Sequence, residues 1–327
     1  MEFAFLVPAP DPIPIPWMWL QGLLLATFVL HLLFMNAMLG TGIIALVAMF
    51  RRRASDLPVA KAISTTLPTL IAFTVNTGVA PLLFIHVLYG QFIFTSSILM
   101  AIWWLSAVGI LLIAYYAAYL SNNMTLMLSP GRWSRYLDIP GGSLLNLAEP
   151  MLIPRYLHFV TASVAVGGLV MAWIWQLKGR KGFADAEEKS RQAMGWFTGA
   201  TAVQFAVGTI FLFTLPRGIR SLFLGGEATA TFLFAASITG AIVALYLGVR
   251  RKIRSCTAAT VTTIILMALV RDRVRQAFLA PIFSPAELPV ALQTGPFVLF
   301  LVSLTLCIAA VMLMIRLAFG RRQEIRP

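Results

Sequence analysis

Charge is what this sequence has least of. Of 327 residues, 11% are Asp, Glu, Lys or Arg, against roughly a quarter in a soluble domain of ordinary composition. Too few charges exist to keep a soluble surface wet. Carboxylates are scarcer still, 12 against 25 basic residues, and they fall in the first residues, between apolar runs or at their ends. A proton pump or proton-coupled transporter needs a buried acid in its relay, and this distribution offers none. The two cysteines, Cys256 and Cys307, lie in or beside apolar segments, and no C-x-x-C-H occurs. A disulfide framework and a covalently attached c-type haem are therefore both excluded. A basic n-region is also missing from the start, MEFAFLVPAPDPIPIPW. That stretch reads as an extended lead-in without a cleavable signal, ending at an interface marked by Pro16, Trp17 and Trp19.

Apolar residues fill the space. They make up 59% of the chain, and the mean hydropathy is +0.86. Apolar segments run over about 17 to 50, 62 to 88, 92 to 120, 155 to 178, 194 to 214, 228 to 249, 255 to 270 and 295 to 319. About 20 such residues in a helix cross about 30 Å of hydrocarbon. The pattern predicts an all-α integral membrane protein, a bundle of eight or nine transmembrane helices. The lead-in takes residues 1–16, one transmembrane domain 17–320, and a cytoplasmic tail 321–327. Within the domain the long loop 121–154 carries Asn122, Asn123, Pro130, Gly131, Pro140, Gly141, Gly142 and Pro150, which suits a folded surface loop and forbids a further span. No separate globular domain exists to house catalysis.

The net charge of +13 needs no nucleic-acid partner, because membrane proteins gather Lys and Arg in cytoplasmic loops. Seventeen of the basic residues lie in 51–61, 178–191, 250–254 and 316–326, and the other eight in 132–155, 217–220 and 271–275. The first set should face the cytoplasm. This sets a parity problem, since the chain must cross an even number of times between Arg53 and Lys178 while three apolar segments intervene. Either residues 62–122 cross three times, giving nine helices, or one loop breaks the charge rule.

Ionisable residues inside apolar segments are functional candidates by default. The three histidines, His31, His86 and His158, all fall there, and the charge rule gives them one depth in the outer half of the bilayer. Each could simply bond a carbonyl; together they suggest haem b, because neutral imidazole is a good axial ligand for iron. Pairing of His31 with His86 is expected from their equal depth on adjacent helices. Met35, Met38, Met124, Met127, Met151 and Met267 could supply a second ligand, although core packing is the stronger reading of each one. Arg155, three residues before His158 and on its face, suits a haem propionate or an interfacial anchor. Arg271, Arg273 and Arg275 suit propionates, a quinone head group or an acidic partner, or else form a solvated helix end. Gln204 needs a partner in lipid, either a quinone carbonyl or another helix. Gly40, Gly42, Gly78, Gly167 and Gly168 would allow helices or a flat macrocycle to approach closely.

These residues resemble a known family in patches over about the first 215 positions. His31 in VLHLLFMNAMLG is similar to the early histidine of subunit I of the cytochrome bd quinol oxidases, a ligand of the high-spin haem pair. His158 in PRYLHFVTASVAVGG is similar to the family's R-F-x-H-T stretch, whose histidine binds the low-spin haem b, and Lys178, Gly179 and Arg180 extend that likeness. TGVAPLLF, Thr77 to Phe84, resembles the family's second-helix T-G-V stretch. The departures are specific. Pro81 and Leu82 stand where the family has a glutamate near the high-spin haems, the large quinol loop shrinks to residues 216–227, and the downstream methionine and glutamate ligands have no match. The resemblance implies a divergent cytochrome b subunit in a bacterial or archaeal cytoplasmic membrane that has lost oxygen reduction. It would carry haem b, oxidise quinol and pass electrons to an extracytoplasmic partner such as a c-type cytochrome. Two other readings stay open: a haem-free quinone-binding anchor of an iron–sulfur or molybdenum oxidoreductase, and a small-solute permease.

Overall fold

The protein, described by a computed structural model over residues 6–51, 57–100, 113–139 and 144–320, is helical almost throughout. The helices are α1 (Trp17–Arg51), α2 (Leu57–Met100), α3 (Ile113–Met127), α4 (Leu152–Gly179), α5 (Ala186–Thr214), α6 (Ala228–Val249), α7 (Ile253–Leu279) and α8 (Thr294–Gly320). Six of these, α1, α2 and α4 to α7, are long and apolar enough to cross a membrane among the described residues. The chain is thus a multi-pass α-helical protein built for a lipid bilayer. Backbone groups in hydrocarbon must be satisfied within the segment, and apolar helices do this without any sheet. The middle of the expected third segment, 101–112, and the tail, 321–327, lie outside the described residues.

The register of the long helices follows from side-chain bonds between them. Ser163 of α4 donates its hydroxyl to Asn36 Oδ1 of α1 at 2.7 Å, and one turn on, Gly40 meets Gly167. A Cβ on Gly40 would overlap the Ser163 carbonyl, and one on Gly167 would lie 2.6 Å from the Thr41 nitrogen. Small residues here bring two backbones into contact, as dispersion-driven packing in lipid requires. α4 and α5 run antiparallel, joined through Thr161 and Gln204 near one end and Ser190 and Ala172 near the other. In α7, Trp173 of α4 finds the Thr257 hydroxyl at 2.7 Å, and Cys256 contacts the Ala244 carbonyl of α6.

α2 bears on the parity problem. Its 44 residues would rise about 66 Å as one straight helix, roughly twice the hydrocarbon thickness. It is bent at Tyr89, where φ is −133° and ψ is 27°. Residues expected as two segments, 62 to 88 and 92 to 120, thus begin as one kinked helix, and the count of eight or nine separate spans is not reproduced. Beyond the bend, Asn123 Nδ2 donates to Ser97 Oγ at 3.0 Å, and the Leu144 nitrogen donates to the Leu99 carbonyl at 2.7 Å. The stretch leaving α2 therefore returns to the place it left. α4 starts from that same end and runs to Lys178, antiparallel to the first part of α2.

That end of the bundle is capped by chain rather than left open. Ile13 and Ile15 of the lead-in pack with Leu20, Leu88, Tyr89, Phe92, Met127 and Leu279 in one buried cluster. Backbone bonds from Ile13 to Pro289 and from Ala291 back to Ile13 tie the lead-in to the segment before α8. The segment between α3 and α4 is folded as well. Trp133 Nε1 donates to the Leu126 carbonyl at 2.9 Å, and Arg132 holds Asn146 at 2.6 Å and Glu149 at 3.2 Å.

Two measurements check this architecture. Gly40→Val should destabilise the detergent-purified protein by about 1–3 kcal/mol, the range for overpacking, seen as a lower Tm, whereas Gly22→Ala, with nothing within 4 Å of the added carbon, should leave the Tm unchanged. Cysteines placed by Ser134→Cys and Arg180→Cys, both exposed positions, should react with an impermeant maleimide from opposite faces of a sealed vesicle; reaction from one face would break the alternation of helices.

Candidate functional site

A charged group in hydrocarbon must find a partner or a cavity, and one cluster at the lead-in end of the bundle holds most of the candidates. α7 does not stop at residue 270, where the apolar run ends, but continues to Leu279. Arg271, Asp272, Arg273 and Arg275 are consequently in a helix, and the expected loop 271–275 does not exist. At 100° per residue, positions 271, 272, 275 and 276 face the bundle while 273 turns away. Arg273 is exposed and takes no part.

Asp272, placed by its sequence setting in a loop, is 6% exposed and buried within the last turns of α7. The acid escapes a reading by apolar runs because it lies among arginines that resemble a loop. Three neighbours saturate it: Gln21 Nε2 of α1 at 2.7 Å, Gln276 Nε2 at 2.8 Å, and the Arg275 guanidinium in an ion pair. Arg275 also lies over the Tyr89 ring, 4.5 Å from its centroid. The bend in α2 thus delivers the aromatic face that covers this pair. Gln21 and Tyr89 carry no sequence signal for this role, since a lone amide four residues into a helix and one of seven tyrosines are unremarkable until the helices meet.

With Asp272 spent on Arg275, two further guanidiniums have no carboxylate among the described residues. Arg271 packs over the Phe28 ring at 4.3 Å, within electrostatic reach of Arg155, Arg275 and His31. Arg155 projects from the first turn of α4 toward the same place. Three cations and one anion converge there. The excess positive charge, in a region that is costly for charge, makes the corner a seat for an anionic group.

The histidines occupy three separate positions. His31 lies against Gly78 of α2, where an added Cβ would be 2.9 Å from the ring, and its Nδ1 bonds the Thr74 carbonyl at 3.1 Å. A carbonyl only accepts, so Nδ1 carries the proton and Nε2 keeps its lone pair. His86 does the same within its own helix, bonding the Leu82 carbonyl at 2.6 Å, with Phe94 beside its ring. Since His31 meets α2 at Thr74 and Gly78, His86 stands 8 to 12 residues further along, about 12–18 Å of helix. The two imidazoles do not face each other across α1 and α2, which is a correction to the equal-depth expectation. Among the described residues no three of His, Cys, Asp and Glu gather as a metal cluster.

His158 differs from both. Its ring leans on Gly208 of α5 near Phe211, and its buried Nδ1 has no hydrogen-bond partner. An unpartnered polar atom in a dry interface is costly. One turn along α4, Thr161 donates to Gln204, so Gln204 is satisfied by a neighbouring helix. Of the expected methionines, Met38, Met127 and Met151 are core residues, 4%, 1% and 3% exposed. Gly40 and Gly167 serve helix contact, while Gly78 and Gly208 seat imidazoles.

Fold and site together define a multi-pass helical membrane protein with a cluster of basic side chains around Asp272 at one end. Comparison with protein-family models and with curated proteins finds no match.

The cluster's energetics can be tested directly. Asp272→Ala leaves Arg275 an uncompensated cation and Gln21 and Gln276 without their acceptor, and removing one partner of a buried pair costs about 3–5 kcal/mol. A large loss of Tm or of folded yield is expected, while Arg273→Ala, two positions from Arg275 on the exposed side, should behave as wild type.

Proposed function

We propose that the chain is a haem b-carrying electron-transfer subunit of a quinol-oxidising complex in a bacterial or archaeal cytoplasmic membrane. The observation that carries this reading is the buried Nδ1 of His158, which has no hydrogen-bond partner, on the same helix that places Arg155 one turn before it, with Arg271 of α7 within electrostatic reach of Arg155. A b-type haem needs this combination of chemistries, an imidazole for iron and cations for its two propionates. The residues present fit the group: His158 would ligate, and Arg155 with Arg271 would hold the carboxylates. When bound, the group supplies one-electron transfer.

The rest of the site does protein chemistry. Asp272 keeps Arg275 fixed. His31, with Nδ1 committed to Thr74, presents a basic Nε2 near Arg271. A quinol releases two electrons and two protons on oxidation; His31 Nε2 could accept one hydroxyl proton, and the second would pass to solvent on the outer side. Oxygen reduction is not part of the proposal, because Pro81 and Leu82 occupy the positions of the acid that the oxidase resemblance would require. Electrons would pass to an extracytoplasmic carrier such as a c-type cytochrome.

The separation of the three imidazoles favours a second reading, a haem-free quinone-binding anchor in which Arg155, Arg271 and His31 hold the quinone head group. Haem quantification on the purified complex with a reduced-minus-oxidised spectrum separates the two. At least one haem b per chain is expected, and His158→Ala should remove a low-spin α-band while His86→Ala spares it. A haem-free preparation, or an unchanged spectrum in the His158 variant, would overturn the assignment.

A further inference from the structure

The opposite end of the bundle contains a second cationic site that the electron-transfer reading does not use. α1, α4 and α5 come together there around a pocket of about 50 Å³, far below the roughly 300 Å³ that a cofactor-sized molecule needs. Its deeper wall is apolar, with Ile44 and Met171, and its mouth carries Arg51, Lys189, Trp175 and Trp196. Arg51 lies over the Trp196 ring at 5.8 Å, and Lys189 and Lys178 approach the Trp175 ring at 4.8 and 4.5 Å.

The local acids leave much of this charge uncompensated. Asp185, itself mostly exposed, reaches Lys189 at 3.7 Å, and Glu188 is engaged by Arg191 and Gln192. Among the described residues, Arg51 and Lys178 have no carboxylate. Lys189 is 13% exposed, so its ammonium is held at the wall of the pocket instead of extending into water. Tryptophan in this position matches the belt where helices leave hydrocarbon. A phosphate-sized mouth lined by cations, above an apolar floor and flanked by indoles, has the chemistry to hold a phospholipid head.

We infer that this pocket binds the head group of an anionic phospholipid, with the phosphate at the mouth between Arg51 and Lys189 and the acyl chains in the surrounding bilayer. The site would join α1 to the α4–α5 pair at the end opposite the lead-in. Its occupancy is independent of haem.

The test uses the full chain purified in an uncharged detergent, with Tm followed while dihexanoyl phosphatidylglycerol, dihexanoyl phosphatidylcholine or inorganic phosphate is titrated. Phosphatidylglycerol should raise the Tm saturably while the other two do not. Each cation is worth about 1 kcal/mol near an anionic lipid, so Arg51→Gln should weaken half-saturation about fivefold, and Lys189→Gln should do likewise. Arg250→Gln, an exposed cation on α6 outside the pocket, should titrate as wild type. Equal stabilisation by phosphatidylcholine would remove the charge argument, and equal stabilisation by phosphate would make this a free-anion site. Loss of affinity in the Arg250 variant, or none in the Arg51 variant, would equally overturn the proposal. Arg51 is exposed, so its variant decides the matter should Lys189→Gln fail to fold.

Discussion

The contact between α1 and α4 at Gly40 and Gly167 constrains everything placed around it. Two backbones that close cannot slide or rotate without collision, and the Ser163 to Asn36 bond beside them fixes the register. Hydrocarbon offers no hydrophobic reward for bringing helices together, so this combination of close packing and one polar bond supplies the specificity. Once α1 and α4 are locked, their outer faces are assigned. His31 turns toward α2 and His158 toward α5, which is why two histidines of similar depth end in separate settings.

Charge is managed by division between the two ends of the bundle. At the lead-in end, Asp272 is saturated by Gln21, Arg275 and Gln276, and the guanidiniums of Arg155 and Arg271 form no ion pair among the described residues. The lead-in, tied by Ile13 to the segment before α8, packs at that same end on Leu20, Tyr89 and Leu279. At the other end, basic side chains lie over tryptophan rings at an open mouth. One end is built to hold an anion away from water, and the other to meet a charged membrane surface. Both arrangements follow from the cost of an unpaired charge in a low dielectric.

Much of the architecture was legible from the sequence, because span length and hydropathy are local properties. Helices α1, α4, α5, α6 and α8 fall where apolar runs place them, and the concentration of Arg and Lys after α1, α4 and α6 follows the same pattern. The boundaries that were misread share a cause. α7 extends nine residues past its apolar run, to Leu279, because a charged turn remains helical when its face is buried against Gln21 and Tyr89. α2 continues past residue 88 because a bend, unlike a break, leaves no composition signal; Pro81 marks a weak point, yet the non-helical residue is Tyr89, eight positions on.

The candidate site divides in the same way. Sequence alone determined that ionisable groups lie inside apolar helices, which residues they are, and that Arg155 and His158 share a helix face, since spacing along one helix sets these relations. Tertiary structure decided which of them meet. It joined Arg155 of α4 to Arg271 of α7, separated His31 from His86, left His158 without a partner, and gave Gln204 to Thr161. It also buried Asp272, an acid that reads as a loop residue. These outcomes depend on the rotation of each helix about its axis, which is set by packing at glycine contacts far from the charged residues in the chain.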